Sequence, residues 1–261
     1  MNLLVIGCGH MTQAVFKKFD LDGVHLFTYT PSYDRAREMA DRYKGTALRD
    51  LSDLSNIDVL FLGIKPQNID DLPRKVYAKS YKLIVSELAA VDLSLLQQKF
   101  KAENYLRIMP NTPVAHGVGL VGYIGLGEFS DFVSRMQGLG EIIEQKSEEQ
   151  LESFMVMAAS APAFVFEYAH AFYKQLIELN YDDKSARKLV NNLFLGSSTL
   201  LKNDERTIDD LISAVTSKKG VTIEGIESLR SSNIGEIVKK AVESSLSRSQ
   251  ELAKELRSGL S

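Results

Sequence analysis

The first residues that could do chemistry are two glycines that follow an apolar run at the amino terminus. Leu3 to Ile6 has the pattern of a short buried strand, and Gly7 and Gly9 come directly after it, before a helical pattern begins. Gly7 would permit a tight turn, and Gly9 would let free backbone N–H groups approach a pyrophosphate. Thr12 stands where such a motif usually has its third glycine. The position after a strand predicts a dinucleotide site, and a plain strand-to-helix turn is the alternative.

The second predicted strand ends in hydroxyl groups, which bears on the kind of dinucleotide. An acidic residue about 20 positions after the glycines would bind the ribose hydroxyls of NAD. Here Thr30 and Ser32 follow the strand, and Arg35 and Arg37 lie just behind them. Because hydroxyls and guanidinium groups suit the 2′-phosphate of NADP, we predict NADPH as the cofactor, with NADH possible. Arginines on an ordinary exposed helix face are the alternative.

Two other predicted strand ends carry polar groups beside prolines. Lys65 and Pro66 end one apolar strand, and Asn111 lies between two prolines after another. Ligands of open α/β sheets bind at the carboxyl ends of the strands. We therefore expect these residues on the same side of the sheet as the glycine turn, although either segment could be plain loop structure.

A loop at residues 217–222 could hold a small anion. Gly220 precedes a helix that we expect to begin near Thr222, with this threonine as its cap. Free amides there, together with Ser217, Lys218 and Lys219, could bind a small carboxylate. An ordinary capped helix with solvated lysines is the alternative.

Composition and charge exclude several classes of protein. The chain has 261 residues, 44% of them hydrophobic and 25% charged, as in ordinary globular proteins. Its 31 basic and 34 acidic side chains give a net charge of −3, without the basic field that nucleic acid or an anionic membrane requires. Cys8 is the only cysteine, which excludes an intramolecular disulfide and fits a cytoplasmic protein. The histidines show no paired spacing, and no apolar run reaches the roughly 18 residues of a membrane span, so we expect neither a metal site nor membrane insertion.

The elements that must position these groups change character near residue 147. Before it, short apolar runs alternate with helical stretches, which predicts strands at 3–6, 25–29, 59–64, 83–85, 106–109 and 119–124. From the capping pattern of Ser147 and Gln150 onward, helices are expected at about 148–179, 184–202, 207–215 and 222–257, the last broken near 231–233. The predicted fold is of the α/β class: a Rossmann-type doubly wound parallel sheet in residues 1–146, followed by an all-α dimerisation domain in residues 147–261.

One predicted helix is too apolar for a small domain to cover. Between Leu151 and Leu179, apolar side chains lie around most of the helix circumference. Because residues 147–261 form only a modest domain, we predict a homodimer through the helical half, with a higher oligomer possible. The alternative is an ordinary central helix covered by its own neighbours.

Taken together, these motifs resemble the pyrroline-5-carboxylate reductase family. The resemblance covers almost the whole chain, and the order and spacing of its segments make it specific. The segments are Gly7 to Met11, Asp58 to Gln67, Arg107 to Pro113, Ser160 to Phe164, Val215 to Gly225 and Ala241 to Ser245. The resemblance implies a Rossmann domain and a helical dimerisation domain, with an active site where the two meet across subunits.

The implied activity is NAD(P)H-dependent reduction of 1-pyrroline-5-carboxylate, a small-molecule substrate, to L-proline. By resemblance Thr222 is the hydroxyl next to the ring nitrogen and Glu205 an acidic group near it, and both are expected to be catalytic. The expected substrate-binding residues are Ser217, Gly220, Val221 and Thr222. The expected cofactor-binding residues are Gly7, Gly9, His10, Met11, Thr30, Ser32, Ile64, Lys65, Pro66, Ala89 and Asn111.

Two segments depart from the family pattern. The family usually has Ser-Gly-Ser-Gly-Pro-Ala-Tyr at the position of Ala158 to Phe164, and Ser-Pro-Gly-Gly-Thr-Thr at the position of Ser217 to Thr222. Because Lys218 and Lys219 replace a proline and a glycine, we expect the second loop to differ in shape. A reductase of a related imine or ketone, and a dinucleotide-binding regulatory protein without catalysis, are the alternatives.

Overall fold

The structure is a computed structural model that describes residues 1–217 and 220–259. For residues 252, 253 and 256–259 it describes the backbone alone. Within these ranges no helix is long and apolar enough to cross a lipid bilayer.

The described part of the chain forms one eight-stranded sheet. Its strands are β1 (Asn2–Ile6), β2 (His25–Tyr29), β3 (Thr46–Ala47), β4 (Val59–Leu62), β5 (Ser80–Ser86), β6 (Lys101–Pro110), β7 (Gly119–Leu126) and β8 (Gly140–Glu144). The spatial order is β3-β2-β1-β4-β5-β6-β7-β8. Each pair of neighbouring strands among the first six in this order is parallel. This order of the first six strands is that of a Rossmann-type sheet, which confirms the predicted fold class.

The pairing of β6 with β7 is antiparallel, unlike the wholly parallel sheet predicted from the sequence. Only residues 111–118 connect these two strands, and a parallel pair needs a crossover of a dozen or more residues. The chain therefore turns back on itself through a short 3₁₀ helix at Thr112–His116. β8 then pairs in parallel with β7 at the edge of the sheet.

Five α-helices accompany the strands. They are α1 (His10–Phe16), α2 (Tyr33–Arg42), α3 (Arg74–Ala78), α4 (Leu93–Lys99) and α5 (Ser130–Arg135). Both faces of the sheet are covered, because alternate residues of the central strands belong to different apolar clusters. Leu3 and Val5 of β1 belong to one cluster, and Leu4 and Ile6 belong to the other. Burial on both faces explains why β1 and β4 are continuous apolar runs in the sequence.

The second half of the chain is helical, as predicted. Its helices are α6 (Glu148–Met155), α7 (Ala161–Glu178), α8 (Asp183–Asn203), α9 (Ile208–Ala214), α10 (Val221–Ser231) and α11 (Ile234–Gly259). The predicted break near residue 232 is confirmed, since α10 ends at Ser231 and α11 begins at Ile234. α6 begins where the sequence predicts, because the Ser147 hydroxyl accepts a hydrogen bond of 3.1 Å from the Gln150 N–H.

The long helix predicted at 148–179 is interrupted by a π-helical turn at Val156–Ser160. Pro162, near the start of α7, has no N–H to donate to the carbonyl of Ala158 four residues earlier. The side-chain amide of Asn111 donates to this carbonyl instead, at 3.0 Å. The loss of a regular helical bond at Pro162 accounts for the irregular turn.

By the contacts between its residues, the chain divides into two units. One comprises residues 1–159 and 245–261, and the other residues 160–244. Within the second unit, Ala186 and Val190 of α8 are buried, whereas no side chain of α7, α9 or α10 is. Phe166 is 68% exposed in the single chain, although its helix is apolar. The second unit thus leaves a large apolar surface uncovered.

Candidate functional site

Gly7 forms the turn at the carboxyl end of β1. Its φ is +100°, a conformation that favours glycine, and its N–H donates to the Tyr29 carbonyl oxygen at 2.8 Å. A methyl group at this position would overlap the carbonyl of Gly63, which follows β4. The close approach of these two backbones requires glycine at position 7, as the sequence motif indicates.

Gly9 precedes α1 and has open space around it. Apart from Gly9 and its neighbours along the chain, no atom of the described residues lies within 4 Å of the position that a Cβ would take, and no described side chain caps the helix that begins at His10. The N–H groups at the start of α1 are therefore available to an anionic group. Open space beside uncapped amides fits the pyrophosphate of a dinucleotide, and Gly7, Gly9, His10 and Met11 lie together at this turn.

Cys8 lies inside the turn and is 3% exposed. Burial raises the pKa of its thiol to about 11, and the positive charge of Arg35 acts in the opposite direction. The thiol is therefore protonated at neutral pH and inert. The effect of Arg35 on Cys8 also places this guanidinium within electrostatic range of the glycine turn.

The loop after β2 contains the groups predicted to distinguish NADP from NAD. Thr30 and Ser32 are half-buried, and Ser32 precedes α2 without capping it through its side chain. Arg35 and Arg37 are both exposed on α2, and Arg37 lies 3.9 Å from Asp41. The two arginines are thus open to solvent beside the half-buried Thr30 and Ser32 at the carboxyl edge of the sheet.

Arg49 was missed by the sequence reasoning. It lies two residues after β3, and its guanidinium carbon is 4.1 Å from the centre of the Tyr33 ring at the start of α2. This cation–π contact places a further positive charge beside the Ser32 loop. An arginine that follows a strand at the carboxyl edge was the available signal, but β3 is only two residues long and has no visible pattern.

The ends of β4 and β5 lie side by side at the same edge. Ile64 and Pro66 are half-buried, whereas Lys65 is exposed. Ala89 is half-buried after β5, and the next residue, Ala90, has a φ of +61°. The structure thus brings these four predicted cofactor residues to the edge that carries the glycine turn, because β1, β4 and β5 are parallel neighbours.

Asn111 does not have the free side chain that the sequence reasoning required. It is 5% exposed; its Nδ2 donates to the Ala158 carbonyl at 3.0 Å, and its Oδ1 accepts from the Leu120 N–H at 2.8 Å. Both ends of the amide are therefore used within the protein. These bonds do not support the predicted role of Asn111 as a cofactor ligand: its side chain joins the loop after β6 to β7 and to the π-helical turn.

A buried arginine supports this edge from behind. Arg107 of β6 is 1% exposed; its Nη1 pairs with the Glu148 carboxylate, and its Nη2 donates to the Leu88 carbonyl at 3.3 Å. The other oxygen of Glu148 accepts from the Leu93 N–H at 2.7 Å. Glu148 and Arg107 therefore tie the start of α6 to the loop that follows β5.

Thr12 and Glu87 form a second, partly buried contact that the sequence did not predict. The Thr12 hydroxyl donates to Glu87 Oε1 at 2.5 Å. Burial raises the pKa of Glu87 to about 7, and the hydrogen bond from Thr12 opposes that rise. The missing third glycine marked Thr12 as unusual, but no local pattern linked it to residue 87.

The predicted substrate loop forms a turn and the start of α10. The Gly220 N–H donates to the Ser217 carbonyl at 2.9 Å, and Gly220 is the N-cap of α10. Val221 and Thr222 follow as the first two helical residues, and both are exposed. Ser217, Gly220, Val221 and Thr222 are thus brought together, whereas Lys218 and Lys219 lie outside the described residues.

Thr222 is not the helix cap that the sequence analysis expected. Gly220 takes that position, with φ −84° and ψ 167°, and the structure records no capping hydrogen bond from a side chain. Because glycine is also a favourable N-cap, the cap lies two residues before Thr222 and the helix begins at Val221. The Thr222 hydroxyl is therefore not needed to start the helix.

Glu205 lies in the loop between α8 and α9 and is exposed. Its neighbours Asp204 and Arg206 form an ion pair of 2.7 Å. The Arg206 side chain and N–H hold the pKa of Asp204 low, at about 2. Among the residues that the structure describes, no three His, Cys, Asp or Glu side chains gather closely enough to hold a metal ion.

A Rossmann-type sheet with a glycine turn and uncapped amides at its carboxyl edge defines a dinucleotide-binding α/β protein. Residues 2–90 match the model of the "NADP oxidoreductase coenzyme F420-dependent" family, and residues 148–252 match that of "pyrroline-5-carboxylate reductase dimerisation". The pyrroline-5-carboxylate reductase of Vibrio alginolyticus is 27% identical, over 97% of this chain and 98% of the relative.

Solved structures agree with these sequence matches. A 1-pyrroline-5-carboxylate reductase from Streptococcus pyogenes superposes with a TM-score of 0.83 at 24% identity, covering 96% of this chain and 98% of the other. A Plasmodium falciparum pyrroline carboxylate reductase with NADP bound has a TM-score of 0.79 at 19% identity, covering 97% and 100%. The chain is thus similar to pyrroline-5-carboxylate reductases in sequence and in fold over nearly its whole length.

Proposed function

We propose that the protein is an NAD(P)H-dependent reductase that converts 1-pyrroline-5-carboxylate to L-proline. The observation that carries the proposal is that a named pyrroline-5-carboxylate reductase aligns with this chain over nearly the whole length of both. The second half of the chain also matches the dimerisation model of that family, and the first half matches an NADP oxidoreductase model. The glycine turn adds physical support, because Gly7 and Gly9 leave backbone amides and open space where a pyrophosphate would bind.

A bound nicotinamide cofactor supplies the hydride for the imine carbon. The residues of this chain bind the cofactor and orient it toward the substrate. Amides at His10 and Met11 would hold the pyrophosphate, and Ile64, Lys65 and Ala89 at the ends of β4 and β5 would border the nicotinamide half. Positioning of this kind contributes much of the rate enhancement in a reaction whose chemistry belongs to the cofactor.

The loop from Ser217 to Thr222 is the proposed substrate site. The amides of Val221 and Thr222 begin α10, a helix of 11 residues, and no described side chain caps them, so they can hold the substrate carboxylate. The exposed Thr222 hydroxyl would donate a hydrogen bond to the ring nitrogen. Glu205 is the proposed acidic group near the substrate.

Variants of Thr222 test the proposed reaction. Because Gly220 is the helix cap, Thr222→Ala should leave the melting temperature unchanged while lowering kcat with pyrroline-5-carboxylate roughly ten- to a thousandfold. Thr222→Ser keeps the hydroxyl and should retain most of the activity. A parental kcat in Thr222→Ala would remove the catalytic role, and no reduction by the wild-type protein would remove the proposed function.

We further propose a preference for NADPH over NADH. Four groups near the Ser32 loop support it: the Thr30 and Ser32 hydroxyls and the guanidinium groups of Arg35 and Arg49. A guanidinium pairs strongly with a phosphate, whereas it gains little from a ribose hydroxyl.

Kinetics with both cofactors test the preference. Arg35→Ala should lower the ratio of kcat/KM for NADPH to that for NADH at least tenfold, and Arg37→Ala should lower it less, because Asp41 already lies near Arg37. Arg42→Ala is the matched control on the same helix, since Arg42 pairs with Glu38 at 3.0 Å. An NADH preference that survives Arg35→Ala would contradict the proposal.

The helical half is proposed to form a homodimer. The family match over 148–252 supports oligomerisation, and the uncovered apolar side chains of α7 are the surface that a second copy would cover. Light scattering at micromolar concentration should give twice the chain mass, and Phe166→Glu should shift the mass toward the monomer. A folded wild-type monomer at that concentration would contradict the proposal.

A further inference from the structure

Thr12 and Glu87 lie far apart in the sequence and meet behind the glycine turn. Thr12 is the third residue of α1 and is fully buried, and Glu87 directly follows β5. The Thr12 hydroxyl donates to Glu87 Oε1 at 2.5 Å and lies 3.5 Å from the carbonyl oxygen of Gly63 after β4. The pair therefore joins the ends of β4 and β5 to the helix that begins at the turn.

The Glu87 carboxyl group is enclosed. Its Oε2 is inaccessible to solvent and has no hydrogen-bond partner among the residues that the structure describes. A methyl group placed on Gly63 would lie 2.9 Å from both Glu87 Oε1 and the Gly7 carbonyl oxygen, so at most twice that distance separates these two atoms. The carboxyl group thus sits directly behind the backbone that would face a pyrophosphate.

We propose that Glu87, in its protonated form, is a positioning residue for the cofactor, holding the glycine turn through Thr12 without placing a negative charge behind the pyrophosphate. The inference rests on the proposed dinucleotide site. An ionised carboxylate at this place would repel the phosphate charges through enclosed, weakly screened surroundings. Cofactor binding therefore weakens when Glu87 loses its proton.

The surroundings of Glu87 favour the neutral form. Burial is the larger influence on its pKa, and the Thr12 hydrogen bond, which favours the ionised form, is the smaller. The ionisable side chains of the bordering elements are His10 on α1, Lys65 after β4, Tyr81 and Lys82 on β5, and Lys101, Glu103, Tyr105 and Arg107 on β6, the last paired with Glu148. Since the pKa of Glu87 rises to about 7, the neutral form predominates below pH 7 and the ionised form above it.

Equilibrium binding measured against pH tests the proposal. The dissociation constant for NADPH, from the quenching of cofactor or tyrosine fluorescence, should rise about tenfold from pH 6 to pH 8 relative to Glu87→Gln. Gln keeps an oxygen that accepts from Thr12 but cannot ionise. The measured quantity is the dissociation constant of the wild-type protein divided by that of Glu87→Gln at the same pH. The 2′-phosphate of NADPH also titrates near pH 6, and its effect cancels in this ratio because it is the same for both proteins.

Variants of Thr12 provide a second test, the pH midpoint of the affinity change. This midpoint should not shift if Thr12 and Glu87 have a merely structural role. Thr12→Val removes the hydrogen bond that lowers the pKa of Glu87, so the pH midpoint of the affinity change should rise. Thr12→Ser keeps the hydroxyl and should leave the midpoint in place. Glu141→Gln, exposed on the edge strand β8, is the control and should follow the wild-type profile.

Calorimetry in two buffers of different ionisation enthalpy completes the test. At pH 7.5 the wild-type protein should take up a fraction of a proton on binding NADPH, and Glu87→Gln should not. Binding with the same pH profile in both proteins would overturn this inference alone. An absence of binding at every pH would overturn the proposed function and the inference with it.

Discussion

Removing either partner of the Arg107–Glu148 ion pair should have unequal effects on stability. The Arg107 side chain is 1% exposed, whereas that of Glu148 is 31% exposed. Glu148→Ala leaves a buried guanidinium without its counter-ion, while Arg107→Met leaves a carboxylate that can still reach water. The asymmetry in burial therefore predicts which substitution costs more.

The size of each loss in stability follows from the charges and hydrogen bonds that the substitution leaves without a partner. Glu148→Ala strands a buried charge whose Nε already has no hydrogen-bond partner among the described residues, and a stranded charge of this kind costs about 3–5 kcal/mol. Arg107→Met loses the bond to the Leu88 carbonyl, which costs about 1–3 kcal/mol. In Arg107→Met the remaining Glu148 still accepts from the Leu93 N–H.

Urea unfolding of the two single variants and the double variant measures these costs. We expect the double variant to be close to Arg107→Met in stability, since Glu148 has little left to stabilise once the arginine is gone. Equal losses in the two single variants, or a greater loss in Arg107→Met, would refute the argument from burial. Unchanged m-values are needed for the comparison.

Three other substitutions test the candidate site. Gly7→Ala should lower the free energy of unfolding by at least about 1–3 kcal/mol, measured in urea, because φ is +100° and the methyl group would overlap Gly63. Asn111→Ala should cost about 1–3 kcal/mol in the same measurement by leaving two buried backbone groups unpaired, with little change in cofactor KM. Glu87→Gln should gain stability over the wild type as the pH rises from 4.5 to about 7, because the folded state resists the ionisation that the unfolded state allows. The gain should approach about 3 kcal/mol and then level off, whereas parallel stability curves would show that Glu87 ionises freely.

Much of the sheet could be predicted because its strands are buried on both faces. β1 and β4 are continuous apolar runs, and β2 ends where the sequence predicts, at Tyr29. β3 and β8 were missed, since a strand of two residues and a half-exposed edge strand leave no clear pattern. The direction of β7 was also missed, although the short connection before it was readable from the sequence.

The candidate site was predictable where a residue type is required by backbone geometry. The φ of Gly7 and its contact with Gly63 permit only glycine, so the motif was informative. Asn111 shows the limit of such reasoning. A polar residue between two prolines suits a ligand site, but the amide is used to bond Ala158 and Leu120. Sequence alone does not show that Pro162 frees a backbone carbonyl for it.

Thr12 shows how a departure from a motif acquires meaning only in three dimensions. A third glycine in such a turn allows close packing of helix and strand, and a threonine in its place must find room and a hydrogen-bond partner. Glu87 supplies the partner from another strand, at a position where an isolated buried carboxylate would be costly. Thr12 bonds one carboxyl oxygen and the other is buried without a partner among the described residues, so burial favours a proton on Glu87 and the Thr12 hydrogen bond opposes it only in part. The departure from the motif is thus tied to a titratable group that lies directly behind the cofactor turn.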